Sequence, residues 1–402
     1  MLSTSRLLTQ TFLAATTTAI CLTNPSAQTE QPIPATTQIP LSHSTVLSAR
    51  EHTEKPPQFL VDPFWPKPLP NNWIIGQVAG VDVGPLDHVW ILQRPHSLSA
   101  RELGATQIPP VGNCCVAAPP VLEFDLSGNL ISSWGGPGAR YDWPNTEHGI
   151  YVDTAGFVWL AGNGPTDRQV LKFTRDGQFV MQIGKPGSEM NSNDQINFGR
   201  AADIFVDVLA GEVYVADGYA NRRVAVFDSQ TGTYKRHWGA YGKPPHDNPQ
   251  SAYVPTAPPA EQFRNPAHCV EISGDGLVYV CDRVNNRYQV FEKDGTFVAE
   301  AFFETATLLN GSVSDVAFSH DPNQIYIYMV DSVNNEIRII DRDSHTVLAR
   351  IGRPGRWAGQ FHAVHNIATD SEGNLYTTEV NTGQRVQKFR RLDQIMPSSP
   401  QR

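Results

Sequence analysis

The sequence predicts an all-β protein, a single six-bladed β-propeller, and three observations predict it. A unit of short β-rich runs recurs six times between about residues 59 and 391. Most copies hold four runs, separated by turns rich in Gly, Asp and Asn. One such sheet cannot bury both of its faces, whereas six stacked radially close into a ring with only short, protected edges.

Each copy opens with a short apolar strand. These are Gly80-Val81-Asp82-Val83, Gly149-Ile150-Tyr151-Val152, Asp203-Ile204-Phe205-Val206, Cys269-Val270-Glu271-Ile272, Asp315-Val316-Ala317-Phe318 and Asn366-Ile367-Ala368-Thr369. A second strand follows a Gly- or Asp-containing turn, as in Val89-Trp90-Ile91, Val213-Tyr214-Val215 and Leu375-Tyr376-Thr377. A third ends near Phe, as in Val170-Leu171-Lys172-Phe173, and a fourth often follows, as in Phe179-Val180-Met181-Gln182. The sixth copy stops after its third strand at Phe389, so its outer strand must come from elsewhere. Trp73-Ile74-Ile75, ahead of the first copy, is expected to supply it and clasp the ring.

Around the propeller, residues 1–27 read as a secretory signal. Arg6 gives a positive start, residues 7–22 a weakly apolar core, and Pro25-Ser26-Ala27 a small-residue cleavage site. Cys21 suggests lipid anchoring, but bulky Ile20 disfavours it. The apolar core is too short and polar to span a bilayer, so a secreted or periplasmic protein is expected. Residues 28–58, rich in Thr, Ser, Pro and Gln, read as a flexible linker, and 392–402 as a tail. Charged residues make up 18% and hydrophobic ones 40%, enough for a core. With a net charge of −9 and no basic stripe, nucleic acid is not an expected partner.

Two insertions break the period, at about residues 95–120 and 241–262. The first holds Cys114 and Cys115, whose adjacency makes a mutual bond strained. Cys269 and Cys281 flank one hairpin and are placed to pair across it.

The candidate site comes from comparing positions across copies. Two residues before the apolar anchor of each first strand stand Ala79, His148, Ala202, His268, Ser314 and His365. Histidine therefore occupies alternate blades at one register, out of 12 histidines in the chain. The first strand of a blade lines the central channel, so three imidazoles would converge on the axis. Three nitrogen ligands with an open fourth position define a catalytic metal site, and zinc suits it best.

The turn after the second strand gives a further set. Asp217, Asp282 and Asp331, each with a following Asn, read as turn scaffold. Beside them, Arg94 and Arg283 fall in opposite blades and Tyr219 in a third. All three would overlook the histidines. Two guanidiniums suit a carboxylate, and a tyrosine among cations suits a general base.

The repeats resemble the NHL type. The motifs resemble the peptidyl-α-hydroxyglycine α-amidating lyase (peptidylamidoglycolate lyase) family. They are Gly76-Gln77-Val78 with Arg94 downstream, His148-Gly149-Ile150, Asp217-Gly218-Tyr219-Ala220-Asn221-Arg222-Arg223, His268 with Asp282-Arg283-Val284-Asn285-Asn286-Arg287, and His365-Asn366-Ile367. The resemblance implies zinc on His148, His268 and His365, with Tyr219 taking the substrate hydroxyl proton. Arg283 would sit beside that tyrosine, and Arg94 would help bind the carboxylate. The products would be a peptide amide and glyoxylate. It also implies a structural calcium on the carbonyls of Val81 and Ile150 and the side chain of Asn366.

Two positions depart from the family. Asn366 replaces a carboxylate, which should weaken calcium, and Ala220 replaces a disulfide cysteine. No copper monooxygenase half is recognisable, so either a separate monooxygenase supplies the hydroxylated substrate or the substrate differs from the family's. Two readings compete. A calcium-dependent hydrolase of gluconolactonase type would need a carboxylate-rich channel, which the histidine register lacks. A non-enzymatic propeller binding a peptide or surface partner needs neither the histidines nor Tyr219.

Overall fold

The computed structural model of the chain describes residues 55–392. The signal and linker readings for 1–54, and the tail after 392, lie outside the described residues. Six four-stranded antiparallel sheets form the six blades. The first blade comprises Gln77–Val83, Val89–Arg94, Val121–Phe124 and Leu130–Trp134. The second runs from Glu147–Val152 to Phe179–Gly184, the third from Asp203–Asp207 to Tyr234–Trp238, the fourth from Ala267–Ile272 to Phe297–Phe302 and the fifth from Asp315–Phe318 to Val347–Ile351. The sixth holds Val364–Thr369, Leu375–Glu379 and Arg385–Arg391.

The clasp differs from the expectation. The fourth strand of blade six is Phe59–Asp62, paired antiparallel from Phe59↔Arg391 to Asp62↔Lys388. Trp73–Ile74 instead pairs in parallel with Val116–Ala117 of the first insertion. The reason is packing. Phe59 and Val61 alternate onto one face of their strand and meet the core between blades five and six, with the Phe59 ring edge-on to Tyr328 at 5.6 Å. Trp73 joins the core between blades one and six from outside the strand ladder.

Six buried apolar clusters occupy the six seams between neighbouring blades. One of them joins Val78, Val81, Val89 and Ile91 of blade one to Ala368, Tyr376 and Val386 of blade six, which closes the ring. Cys269 and Cys281 are disulfide-bonded across the first two strands of blade four, with Cα atoms 4.8 Å apart. Cys114 and Cys115 are also joined to each other. Among the described residues, no helix is long and apolar enough to cross a membrane.

The repeated Asp turns are scaffold, as their composition suggests. Asp217 accepts from Arg223 Nε at 2.8 Å, from Asn221 Nδ2 at 2.7 Å and from the Gly199 amide at 2.6 Å. Asp282 repeats this with Arg287 Nε at 2.8 Å and Asn285 Nδ2 at 2.7 Å, and Asp331 with Arg338 and Asn334. Both members of the Asp217–Arg223 pair are fully buried. Asp217→Ala would leave the buried Arg223 without its counter-charge, so a loss of about 3–5 kcal/mol is expected in denaturant unfolding.

Candidate active site

The turn that the Asp217 pair locks carries Gly218 and Tyr219. A side chain at Gly218 would lie 2.0 Å from the carbonyl oxygen of Ala267, so only glycine lets this turn close against blade four. That approach presents Tyr219 at the channel mouth beside His268.

The three histidines are brought together on the axis. Their ring centroids lie 4.8–5.1 Å apart, and one nitrogen of each falls within 4.8 Å of the others. Their placement depends on a feature of the first strands. In blades two, four and six, pairing slips by one residue at the histidine: from Glu147↔Gly162 to Ile150↔Leu160, from Ala267↔Asp282 to Val270↔Val280, and from Val364↔Glu379 to Ile367↔Thr377. Blade one shows the same slip at Ala79, from Val78↔Gln93 to Gly80↔Leu92, whereas blades three and five show none in these strands. A bulge of this kind turns a side chain out of the pleat, here into the channel.

The alternation has a complement. His148 Nδ1 donates to the Ala202 carbonyl at 2.7 Å, His268 Nδ1 to Ser314 at 2.6 Å and His365 Nδ1 to Ala79 at 2.8 Å. Each acceptor is the non-histidine residue of the same register in the next blade. These bonds assign the proton to Nδ1 and leave the Nε2 lone pair facing the axis, the arrangement metal-binding histidines adopt. Burial holds all three well below the usual histidine range, reinforced by His365 and Arg94 at His148 and by Arg283 at His268. His365 is pushed down to about 3, by burial first and then by Arg94 and Arg283. The imidazoles are therefore neutral, the form that binds a metal. The donor set fits a divalent ion such as zinc, with room for one further ligand.

Tyr219 closes on this set. Its hydroxyl lies 2.8 Å from His148 Nε2 and 3.2 Å from His268 Nε2. Its ring lies between two guanidiniums, with Arg283 5.7 Å and Arg200 5.8 Å from the centroid. Arg283 is buried, and its Nε has no hydrogen-bond partner. Arg94 donates Nε to the Glu147 carbonyl at 2.7 Å and Nη1 to Gln77 Oε1 at 2.9 Å. Burial lowers its pKa, offset by Tyr219 and Glu147. Arg200 was not singled out from the sequence. It stands just ahead of the first strand of blade three, and no repeat position marked it.

Deeper along the channel, Val81, Ile150 and Asn366 line a cavity of about 210 Å³. The Asn366 amide is already engaged, its Oδ1 2.5 Å from His365 Nδ1 and its Nδ2 donating to Asp315 at 3.0 Å. Asp82, Asp203, Glu271 and Asp315 line the same cavity. The channel is therefore carboxylate-rich, contrary to the expectation drawn from the histidine register. The acids sit one and three residues further along the first strands, where that register does not reach. Burial raises all four, Asp82 and Asp315 to about 7 and Asp203 and Glu271 well above the carboxylate range.

A closed ring of six blades with three converging histidines on its axis defines a six-bladed β-propeller whose channel can hold a metal ion. The chain is related to peptidyl-glycine α-amidating monooxygenases and to NHL repeat-containing protein 3, at about 28% identity. NHL repeat-containing protein 3 of Mus musculus is 28% identical over 247 residues, 59% of this chain and 58% of that one. Peptidyl-glycine alpha-amidating monooxygenase B of Xenopus laevis is 28% identical over 249 residues, 57% of this chain but 24% of the frog protein. A probable peptidyl-alpha-hydroxyglycine alpha-amidating lyase of Caenorhabditis elegans is 23% identical over 76% of this chain and 80% of its own length. No family model matches the sequence. Among solved structures, a streptogramin B lyase aligns with a TM-score of 0.48 at 13% identity, covering 83% of this chain and 98% of that one.

Proposed function

We propose that the chain is a zinc-dependent carbon–nitrogen lyase that cleaves peptidyl-α-hydroxyglycine, or a similar α-hydroxy amide, to an amide and glyoxylate. One observation carries the reading. Three neutral imidazoles, each fixed through Nδ1, turn Nε2 toward a point that the Tyr219 hydroxyl also reaches. The likeness to the Caenorhabditis elegans protein, along most of both chains, supports the same chemistry.

In this reading His148, His268 and His365 hold the ion. Zinc so bound supplies Lewis-acid polarisation of a substrate oxygen. Tyr219 takes the proton of the α-hydroxyl, the C–O bond becomes the aldehyde carbonyl, and the C–N bond breaks. The departing nitrogen takes up a proton and leaves as the amide. Arg283 lies over the Tyr219 ring, 5.7 Å from its centroid, and brings a positive charge to the side of the base. Arg94 binds the substrate carboxylate. Calcium is carried over as a structural ion near Val81, Ile150 and Asn366. The adjoining carboxylates are hard oxygen donors of the kind it takes, although the Asn366 amide would have to turn to offer its oxygen.

The Cys269–Cys281 disulfide supports an oxidising, secreted or periplasmic location. A separate monooxygenase would then supply the hydroxylated peptide. The likeness to NHL repeat-containing protein 3, whose name states a repeat and no reaction, favours the second reading, a propeller that binds a peptide or surface partner. Metal analysis of the purified chain, with glyoxylate followed on a peptidyl-α-hydroxyglycine, separates them. About one zinc per chain with glyoxylate release supports the lyase. A folded protein with neither leaves the binding propeller.

A further inference from the structure

The guanidiniums around Tyr219 divide differently from the sequence expectation. Arg94 and Arg283 were expected to share a carboxylate, but the structure gives Arg94 another companion. Arg94 Nη2 reaches Asn163 Oδ1 at 3.4 Å, and Arg200 Nε donates to the carbonyl of the same Asn163 at 2.7 Å. Asn163 lies in the turn after the second strand of blade two, so one neutral residue anchors both cations. None of Arg94, Arg200 and Arg283 forms an ion pair with a carboxylate among the described residues. Three guanidiniums gathered around one tyrosine repel one another, and partial burial strengthens the repulsion. An anion placed between them reverses the sign of that interaction.

The Arg200 backbone shows the same constraint. It sits in the left-handed region at φ 63°, unusual for a non-glycine residue. Its amide donates to the Asp167 carbonyl at 3.0 Å, and its own carbonyl accepts from the Tyr219 amide at 3.3 Å. Conformations of this kind cost about 1–3 kcal/mol and cluster at functional sites. Here the turn couples Arg200 directly to Tyr219. With Nε committed to Asn163, the two terminal nitrogens carry the donors left for a ligand.

We propose that Arg200 is a specificity-determining residue: with Arg94, on their shared Asn163, it forms a paired-guanidinium clamp for the carboxylate of an α-hydroxy acid unit, leaving Arg283 to Tyr219. This rests on the lyase reading for the identity of the substrate, but not for the presence of the clamp. A planar fork matches a carboxylate in a way a point charge does not. Arg200→Gln should therefore lose the preference for an acid over its ester, and Arg200→Lys should recover only part of it.

The test uses the full mature protein with its metal, in two arms. In the first, glycolate binding is measured by calorimetry on the wild type, Arg200→Gln and Arg200→Lys. In the second, KM and kcat are compared for a peptidyl-α-hydroxyglycine and its methyl ester. The expected result is a rise in KM for the acid of about 10- to 100-fold in Arg200→Gln, exceeding any fall in kcat, with the ester unaffected. Glycolate affinity should fall by a similar factor. Glyoxylate release with an unchanged acid-to-ester preference in Arg200→Gln would overturn the clamp and leave the lyase reading intact. Glycolate binding that Arg200→Gln abolishes, without glyoxylate release by the wild type, would support the clamp and overturn the lyase. Should Arg200→Gln fail to fold, an Arg200→Lys protein that binds glycolate as tightly as the wild type would overturn the clamp.

Discussion

His268→Ala is expected to reduce bound zinc from about one ion per chain to near none, and glyoxylate release with it. The expectation follows from how the site is built. Each imidazole reaches the axis because a bulge turns it inward and because a carbonyl in the next blade holds its Nδ1. Two histidines and water do not complete a site that three were positioned to make. The seams between blades do not depend on this ring, because His268 lies on the channel side of its strand and belongs to none of the apolar clusters. The variant should therefore fold, and the metal can be measured without the ambiguity of an unfolded protein. A bound ion stabilises the native state by mass action, about 2.7 kcal/mol at a hundredfold excess over Kd. Added zinc should raise the Tm of chelator-treated wild type and leave that of His268→Ala unmoved. A variant that keeps its zinc would show that the ion sits elsewhere, and the reading of the register would fail.

The parts of this molecule that could be read from its sequence are those that repetition writes down. Six copies of one unit give the blades, and comparison at a fixed position isolates His148, His268 and His365 among twelve histidines. Repetition fails where the chain departs from its own pattern. The clasp strand Phe59–Asp62 belongs to no complete copy, and its apolar pair Phe59 and Val61 is no more conspicuous than Trp73-Ile74-Ile75. The bulges are equally silent, because a slip in pairing depends on the partner strand and not on local residue type. Arg200 owes its place to a left-handed turn and a contact with Asn163, 37 residues earlier in the chain. The acidic lining was within reach. Asp203 and Asp315 stand one position past the histidine register, and moving the comparison by a single residue would have found them.

Tyr219→Phe is expected to keep zinc at the wild-type level and lower kcat by about 10²–10⁴-fold, the range a general base contributes. The substitution is narrow. The ring keeps its place between Arg200 and Arg283, and the turn keeps Gly218 against Ala267 and the buried Asp217–Arg223 pair. Only the oxygen that reaches His148 and His268 is removed. The loss should therefore fall on kcat, with KM for the acid substrate little changed, because the carboxylate contacts lie on Arg94 and Arg200. Arg200→Gln should show the opposite split, and the two variants together separate proton transfer from anion binding. If Tyr219→Phe retains kcat while His268→Ala loses it, the metal site would stand and the base would have to be sought elsewhere. If both variants leave glyoxylate release untouched, the reaction does not run through this channel.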